Sequence, residues 1–171
     1  MQNLFMMIIL VFCQLWAGKA ETVEIFSDIM NKNIPAFIVI PDSYSGGNDS
    51  LPVILLLHGY GGDYKNWSSK TNLLRQADEF NFIIVCPDGN RNSWYLDSPM
   101  KPESQYKTFF INELVPWIKM NFRTNQMGIT GLSMGGHGAF YLAIRHPELF
   151  DAVSGMSSGV DLTFSTVKWE L

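Results

Sequence analysis

At 171 residues, with 47% hydrophobic and 16% charged residues, the chain has the size and apolar content of one domain with its own core, which excludes a disordered polymer. A net charge of −4 and no Lys/Arg-rich run exclude the electrostatic footprint of a nucleic-acid binder or of a protein held on an anionic membrane. The three histidines (His58, His137, His146) show no zinc-like spacing with cysteines or carboxylates, so no metal is implied.

Leu4 to Trp16 is an almost unbroken apolar run, followed by Ala17-Gly18-Lys19-Ala20. Small residues stand where a signal peptidase reads, and the run is short for a bilayer span. This predicts a signal peptide over residues 1–20 and a mature domain over residues 21–171, secreted or periplasmic and without stable membrane association after cleavage. No Lys or Arg precedes the run, so an uncleaved anchor is the competing reading. Cleavage after Ala20 removes Cys13 and leaves Cys86 alone, which forbids an internal disulfide. Cys86 closes the apolar run Phe82 to Cys86, the place of a buried structural thiol rather than a nucleophile.

Thr22 to Phe26 and Ile34 to Ile40 are apolar and partly β-branched, as strands are. Pro41 to Pro52 reads as a polar turn. Val53 to Leu57 and Phe82 to Cys86 are continuous apolar runs, the signature of strands buried on both faces. Between them lie a glycine-rich loop, Gly59 to Asp63, and a helical pattern over Ser68 to Phe80. A long loop, Pro87 to Pro102, carries Trp94 and Tyr95. Apolar residues recur at three and four over Tyr106 to Met120, a helix that Pro116 must kink or shift. A short strand at Met127 to Thr130, a helix over Ser133 to Arg145 and a strand at Phe150 to Ser154 complete the pattern. Buried strands alternating with amphipathic helices predict an α/β fold: a mostly parallel sheet with helices on both faces.

Gly131-Leu132-Ser133-Met134-Gly135 fits G-x-S-x-G between a strand and a helix. In that context the serine sits on a sharp strand-to-helix turn. The glycines two before and two after it keep side chains from colliding, and the Met134 N–H points toward a developing oxyanion. His58-Gly59-Tyr60-Gly61-Gly62 directly follows the third strand, where hydrolases of this architecture place a second oxyanion donor; the Tyr60 N–H is the candidate. A serine nucleophile needs a base. His58 precedes the serine and is expected to brace the oxyanion loop. His137 lies on the helix behind the turn, and His146 suits the helix dipole at its end.

Taken together, His58-Gly59-Tyr60-Gly61-Gly62, Asn92-Ser93-Trp94-Tyr95, Glu113-Leu114, Gly131 to Gly136 and Phe150 to Asp161 resemble the esterase D and tributyrin-esterase group. That group includes S-formylglutathione hydrolases and is similar to the antigen 85 mycolyltransferases. The resemblance runs from about Ile25 to Leu162. It implies the three-layer α/β-hydrolase fold, with Ser133 as nucleophile and the Tyr60 and Met134 N–H groups as the oxyanion hole. It further implies a substrate-binding loop at Trp94 and Tyr95 that borders the acyl or alcohol pocket, with a packing role for Trp94 as the alternative, and no cofactor. The implied reaction is hydrolysis of small or polysaccharide-linked short-chain acyl esters through an acyl-enzyme.

One feature departs from the group. The triad order in this fold is serine, acid, histidine. After Ser133 the chain offers Asp151, at the start of a strand, and Asp161, which no histidine follows. The expectation is a chain truncated before its last strands, without esterase activity of its own. The alternatives are a noncatalytic binding protein of the same fold, an acyltransferase, and an S-formylglutathione hydrolase, against which the predicted export argues. Oligomeric state is not legible.

Overall fold

In a computed structural model, residues 19–44 and 50–162 are described; most of the predicted signal peptide and the last residues of the chain lie outside them. Among the described residues six strands form one sheet: β1 (Lys19–Ser27), β2 (Lys32–Ile40), β3 (Val53–Leu57), β4 (Ile83–Pro87), β5 (Met127–Gly131) and β6 (Ala152–Val153), in the order β1-β2-β4-β3-β5-β6. β4, β3, β5 and β6 run parallel to one another, and β2 runs against both β1 and β4. β1 begins two residues ahead of the predicted cleavage position: Lys19 pairs with Ile40 and Ala20 with Val39.

Side-chain alternation along the strands builds two cores. Ile38, Ile40, Ile83 and Val85 face one way, into a large cluster with Phe109, Phe110, Leu114, Ile118 and Leu142. Val39, Ile84 and Cys86 face the other way, against Leu73 and Ala77 of helix α1 (Leu73–Phe80). Helices therefore cover both faces, which is why all five β4 residues are buried and why their sequence reads as unbroken apolar.

The predicted helix over Ser68 to Phe80 begins only at Leu73. Asn72 caps it, its side chain accepting the Arg75 N–H at 3.1 Å. Ahead of it, Asp63, Ser68 and Ser69 bond to nearby backbone and hold turns instead. Asn81, at φ 53°, ends the helix in the left-handed conformation.

The predicted helix over Tyr106 to Met120 divides into α2 (Tyr106–Phe109), a π-helical segment (Phe110–Leu114) and α3 (Val115–Asn121). Pro116 offers no N–H to the carbonyl of Asn112 and its ring would strike it, so the widened turn falls one turn ahead of the proline. β6 is only two residues long, shorter than the expected Phe150 to Ser154, and both of its residues are exposed at the sheet edge. Among the described residues, no helix is long and apolar enough to cross a membrane.

Candidate active site

β5 ends at Gly131 and helix α4 (Met134–Arg145) starts at Met134. Ser133, between them, has φ 54° and ψ −112°, a conformation that costs free energy for any residue with a Cβ. Its neighbours hold it there. The Ser133 N–H donates to Met156 O at 2.8 Å, Gly135 N–H to Leu132 O at 2.8 Å, and His137 N–H to Ser133 O at 3.0 Å.

The two flanking glycines are required by close approach. A Cβ on Gly131 would stand 2.5 Å from the Gly135 carbonyl carbon and 2.8 Å from Leu57 Cβ. One on Gly135 would overlap Leu57 O and lie 2.7 Å from His58 O. The start of α4 is thus seated directly on the end of β3. Met134 is the first helical residue, where a backbone N–H has no intrahelical acceptor. The helix therefore presents a donor and the positive end of its dipole beside the serine.

The loop after β3 comes to the same place. A Cβ on Gly59 would lie 3.2 Å from Leu132 O and 3.7 Å from Ser133 Cβ. Tyr60 follows with its side chain largely exposed. The Gly61 N–H donates to Arg91 O at 2.7 Å, and the Gly62 N–H to Gly59 O at 3.0 Å. The structure thus brings Ser133, Met134 and the loop carrying Tyr60 together.

His58 is buried, and both ring nitrogens are engaged. Nε2 accepts the Gly89 N–H at 2.9 Å, which leaves Nδ1 as the protonated nitrogen, donating to Gly59 O at 2.9 Å. A ring so committed braces the loop and is not available as a base. His137 donates from Nδ1 to Trp94 O at 3.1 Å, with its ring stacked on Tyr141. Burial, aided by the nearby Arg145 guanidinium, pushes its pKa below the ordinary histidine value against the opposing pull of the Trp94 carbonyl. His146 sits beyond the far end of α4, 3.4 Å from the Glu148 carboxylate. Among the described residues, the Ser133 hydroxyl has no hydrogen-bond partner.

Asp151 is placed at the opposite end of the sheet from the serine. Its carboxylate accepts the Met127 N–H at 2.7 Å, at the start of β5. Asp161 is exposed.

The substrate-binding role expected of the Trp94 and Tyr95 side chains needs correction. Trp94 and Tyr95 do not face a pocket. They are buried at 3% and 0% exposure, and both adopt left-handed backbone angles, φ 54° and 60°. Trp94 lies edge-on to His137. The Tyr95 hydroxyl donates to His58 O at 3.0 Å, and its N–H donates to Ser93 Oγ at 3.0 Å. The resemblance marks this loop as part of the site, but its aromatic rings turn inward to support the loops that carry the chemistry.

The segment from Ser154 to Gly159 lies within the Phe150 to Asp161 stretch of the family resemblance, but sequence reasoning assigned it no role at the site. It crosses the turn through the Met156 carbonyl on Ser133 and the Met156 N–H on Gly131 O. Its Ser-Gly-Met-Ser-Ser-Gly composition was the available signal.

A mixed, mainly parallel sheet clad on both faces, with a left-handed serine between strand and helix, defines an α/β-hydrolase. The Esterase family model matches residues 27–170, and the chain belongs to that family, in agreement with the group its motifs resemble. It is 33% identical over 132 residues to an esterase of Mycobacterium tuberculosis, a match covering 73% of this chain and 29% of that protein. It is 26% identical over 149 residues to an acetyl esterase of Caldicellulosiruptor saccharolyticus, covering 81% of this chain and 55% of that one. A solved ferulic acid esterase superposes with a TM-score of 0.74 at 30% identity, over 83% of this chain and 59% of the other. The chain thus spans less than two thirds of the length of each relative.

Proposed function

We propose that the protein is a serine carboxylesterase in which Ser133 is acylated and then released by water. The observation that carries this reading is the strained backbone of Ser133, φ 54° and ψ −112°, at a strand–helix turn against which Gly59 of the neighbouring loop is packed. Strain of this kind persists only where surroundings enforce it and gathers at reactive groups.

In the proposed reaction Ser133 Oγ attacks the ester carbonyl, and its proton passes to a general base. Negative charge builds on the carbonyl oxygen, where the Met134 and Tyr60 N–H groups receive it. The alcohol leaves with a proton, and water then attacks the acyl-enzyme by the same route. His58 is committed on both nitrogens and His137 is held on Trp94. None of the chain's three histidines is therefore assigned as the base, His146 lying beyond the far end of α4 beside Glu148. The predicted signal peptide, with relatives named an acetyl esterase and a ferulic acid esterase, supports an exported enzyme acting on short acyl or aromatic acyl esters, including those borne on polysaccharides.

Among the described residues the Ser133 hydroxyl has no hydrogen-bond partner, which supports one second reading, a noncatalytic binding protein that keeps the fold. Fluorophosphonate labelling of the protein from its native source separates the two, because such probes need an activated serine. The esterase reading expects an adduct on Ser133 that Ser133→Ala abolishes. Absence of an adduct, with the protein shown to be present at the mass of this chain, transfers the assignment to the binding protein.

A further inference from the structure

We propose that Tyr95 is a positioning residue, a rigid spacer that sets the separation between the oxyanion loop and the first turns of α4; this rests on the esterase reading of Ser133. The Tyr95 ring occupies a slot that two glycines leave open. A Cβ on Gly89 would overlap its Cε1 edge, and one on Gly138 would overlap its Cδ2 edge. Gly138 lies one turn after Met134 on α4. Gly89 donates its N–H to His58, so its position is tied to the loop that carries Tyr60.

The far end of the ring completes the connection. Its hydroxyl donates to His58 O at 3.0 Å, where the chain leaves β3 for the oxyanion loop. That same carbonyl oxygen stands 2.7 Å from where a Gly135 Cβ would be. The path from Gly138 through the Tyr95 ring and hydroxyl to His58 O, and back to Gly135, is therefore closed. Both loops and the nucleophile turn meet around one rigid side chain. Phe110 packs edge-on behind the ring at 5.3 Å between centroids and prevents its retreat.

A core aromatic needs only volume, and phenylalanine supplies the same volume. The observations that exceed packing are the hydroxyl aimed at a backbone carbonyl of the site and the left-handed backbone, φ 60°, that aims it. A buried carbonyl that loses its donor relaxes toward another partner. The donors on Tyr60 and Met134 would then no longer converge on one oxygen. Misplacement of this order reduces rate through geometry while leaving ground-state binding nearly intact.

The test is Tyr95→Phe in the full chain, read by amide hydrogen exchange and, where wild type turns over an aryl acetate, by kinetics. The proposal expects amides of residues 58–62 to exchange about fivefold faster, with β4 and β5 amides unchanged. It further expects kcat about tenfold lower at KM within about twofold. Exchange at 58–62 equal to wild type, or acceleration spread evenly over the sheet, overturns the spacer role. Local acceleration in the variant, with no fluorophosphonate adduct on Ser133 of the native-source protein, keeps the spacer and defeats the esterase reading. Turnover in wild type with no local acceleration in the variant does the reverse.

Discussion

Replacing Ser133 by glycine is expected to stabilise the fold, whereas replacing it by alanine is not. At φ 54° and ψ −112°, the Cβ of residue 133 is held in a region that costs roughly 1–3 kcal/mol for a residue other than glycine. Alanine keeps that Cβ and removes only a hydroxyl without a hydrogen-bond partner among the described residues, so Ser133→Ala should change stability by about 0.5 kcal/mol at most. Glycine removes the Cβ and recovers the strain, but gives back about 0.4–1 kcal/mol through a freer unfolded chain. The backbone bonds from Ser133 N–H to Met156 O and from His137 N–H to Ser133 O survive both changes.

At the mid-values of these ranges the net expectation is Ser133→Gly above Ser133→Ala by about 1.3 kcal/mol. At about 2–4 °C per kcal/mol for a domain of this size, that is a rise in Tm of about 3–5 °C. Urea midpoints and thermal melts of the two variants, measured side by side, give the comparison directly. A glycine variant no more stable than the alanine variant would refute the claim that the turn is strained. Neither variant should react with a fluorophosphonate, so stability would rise where chemistry is lost.

Two further outcomes follow from buried titratable groups. Cys86 is 1% exposed, and burial pushes its thiol up to about 12; it should resist a thiol reagent in the folded protein and react fully in denaturant. For Asp97, burial acts to raise the pKa. The Thr108 N–H at 2.9 Å, the Thr108 hydroxyl at 2.7 Å and the Lys107 ammonium at 3.1 Å outweigh it and hold the carboxyl low. His137 is likewise held low, chiefly by burial. Both groups have depressed folded values, so their contributions are present above the unfolded values, about 6.5 for histidine and about 3.9 for aspartate, and are lost as pH falls. Urea midpoints should decline below about pH 6.5 and again below about pH 4. His137→Asn, which keeps a donor for Trp94 O, should flatten the first decline, and Asp97→Asn the second. An unchanged profile in either variant removes that residue from the account.

The parts of the fold that the sequence made legible are those where one residue type meets one constraint. Ile83 to Cys86 must be apolar throughout because helices press on both faces of β4, so the run announced its place. The start of α1 was misplaced because Asn72 and the serines before it form local bonds that compete with helix formation. Periodicity does not register that competition. Pro116 announced an irregularity, but whether a helix kinks or widens depends on packing around Phe110 and Leu114, both fully buried.

Tyr95 and Trp94 show the limit most clearly. A motif marks residues that the site cannot lose, and it is silent on whether they touch the substrate or the residues that do. The deciding facts are the open faces of Gly89 and Gly138, which admit the Tyr95 ring from either side. Those glycines lie far apart along the chain, and the fold alone brings them together. His58-Gly59-Tyr60, Ser93-Trp94-Tyr95 and Gly131 to Gly138 read as separate motifs, yet they meet: His58 O takes the Tyr95 hydroxyl, Trp94 O takes His137 Nδ1–H, and Gly59 packs so close to Leu132 O that a Cβ there would stand 3.2 Å from it. A change in any one should therefore be felt at Ser133, including changes in residues that no substrate could reach.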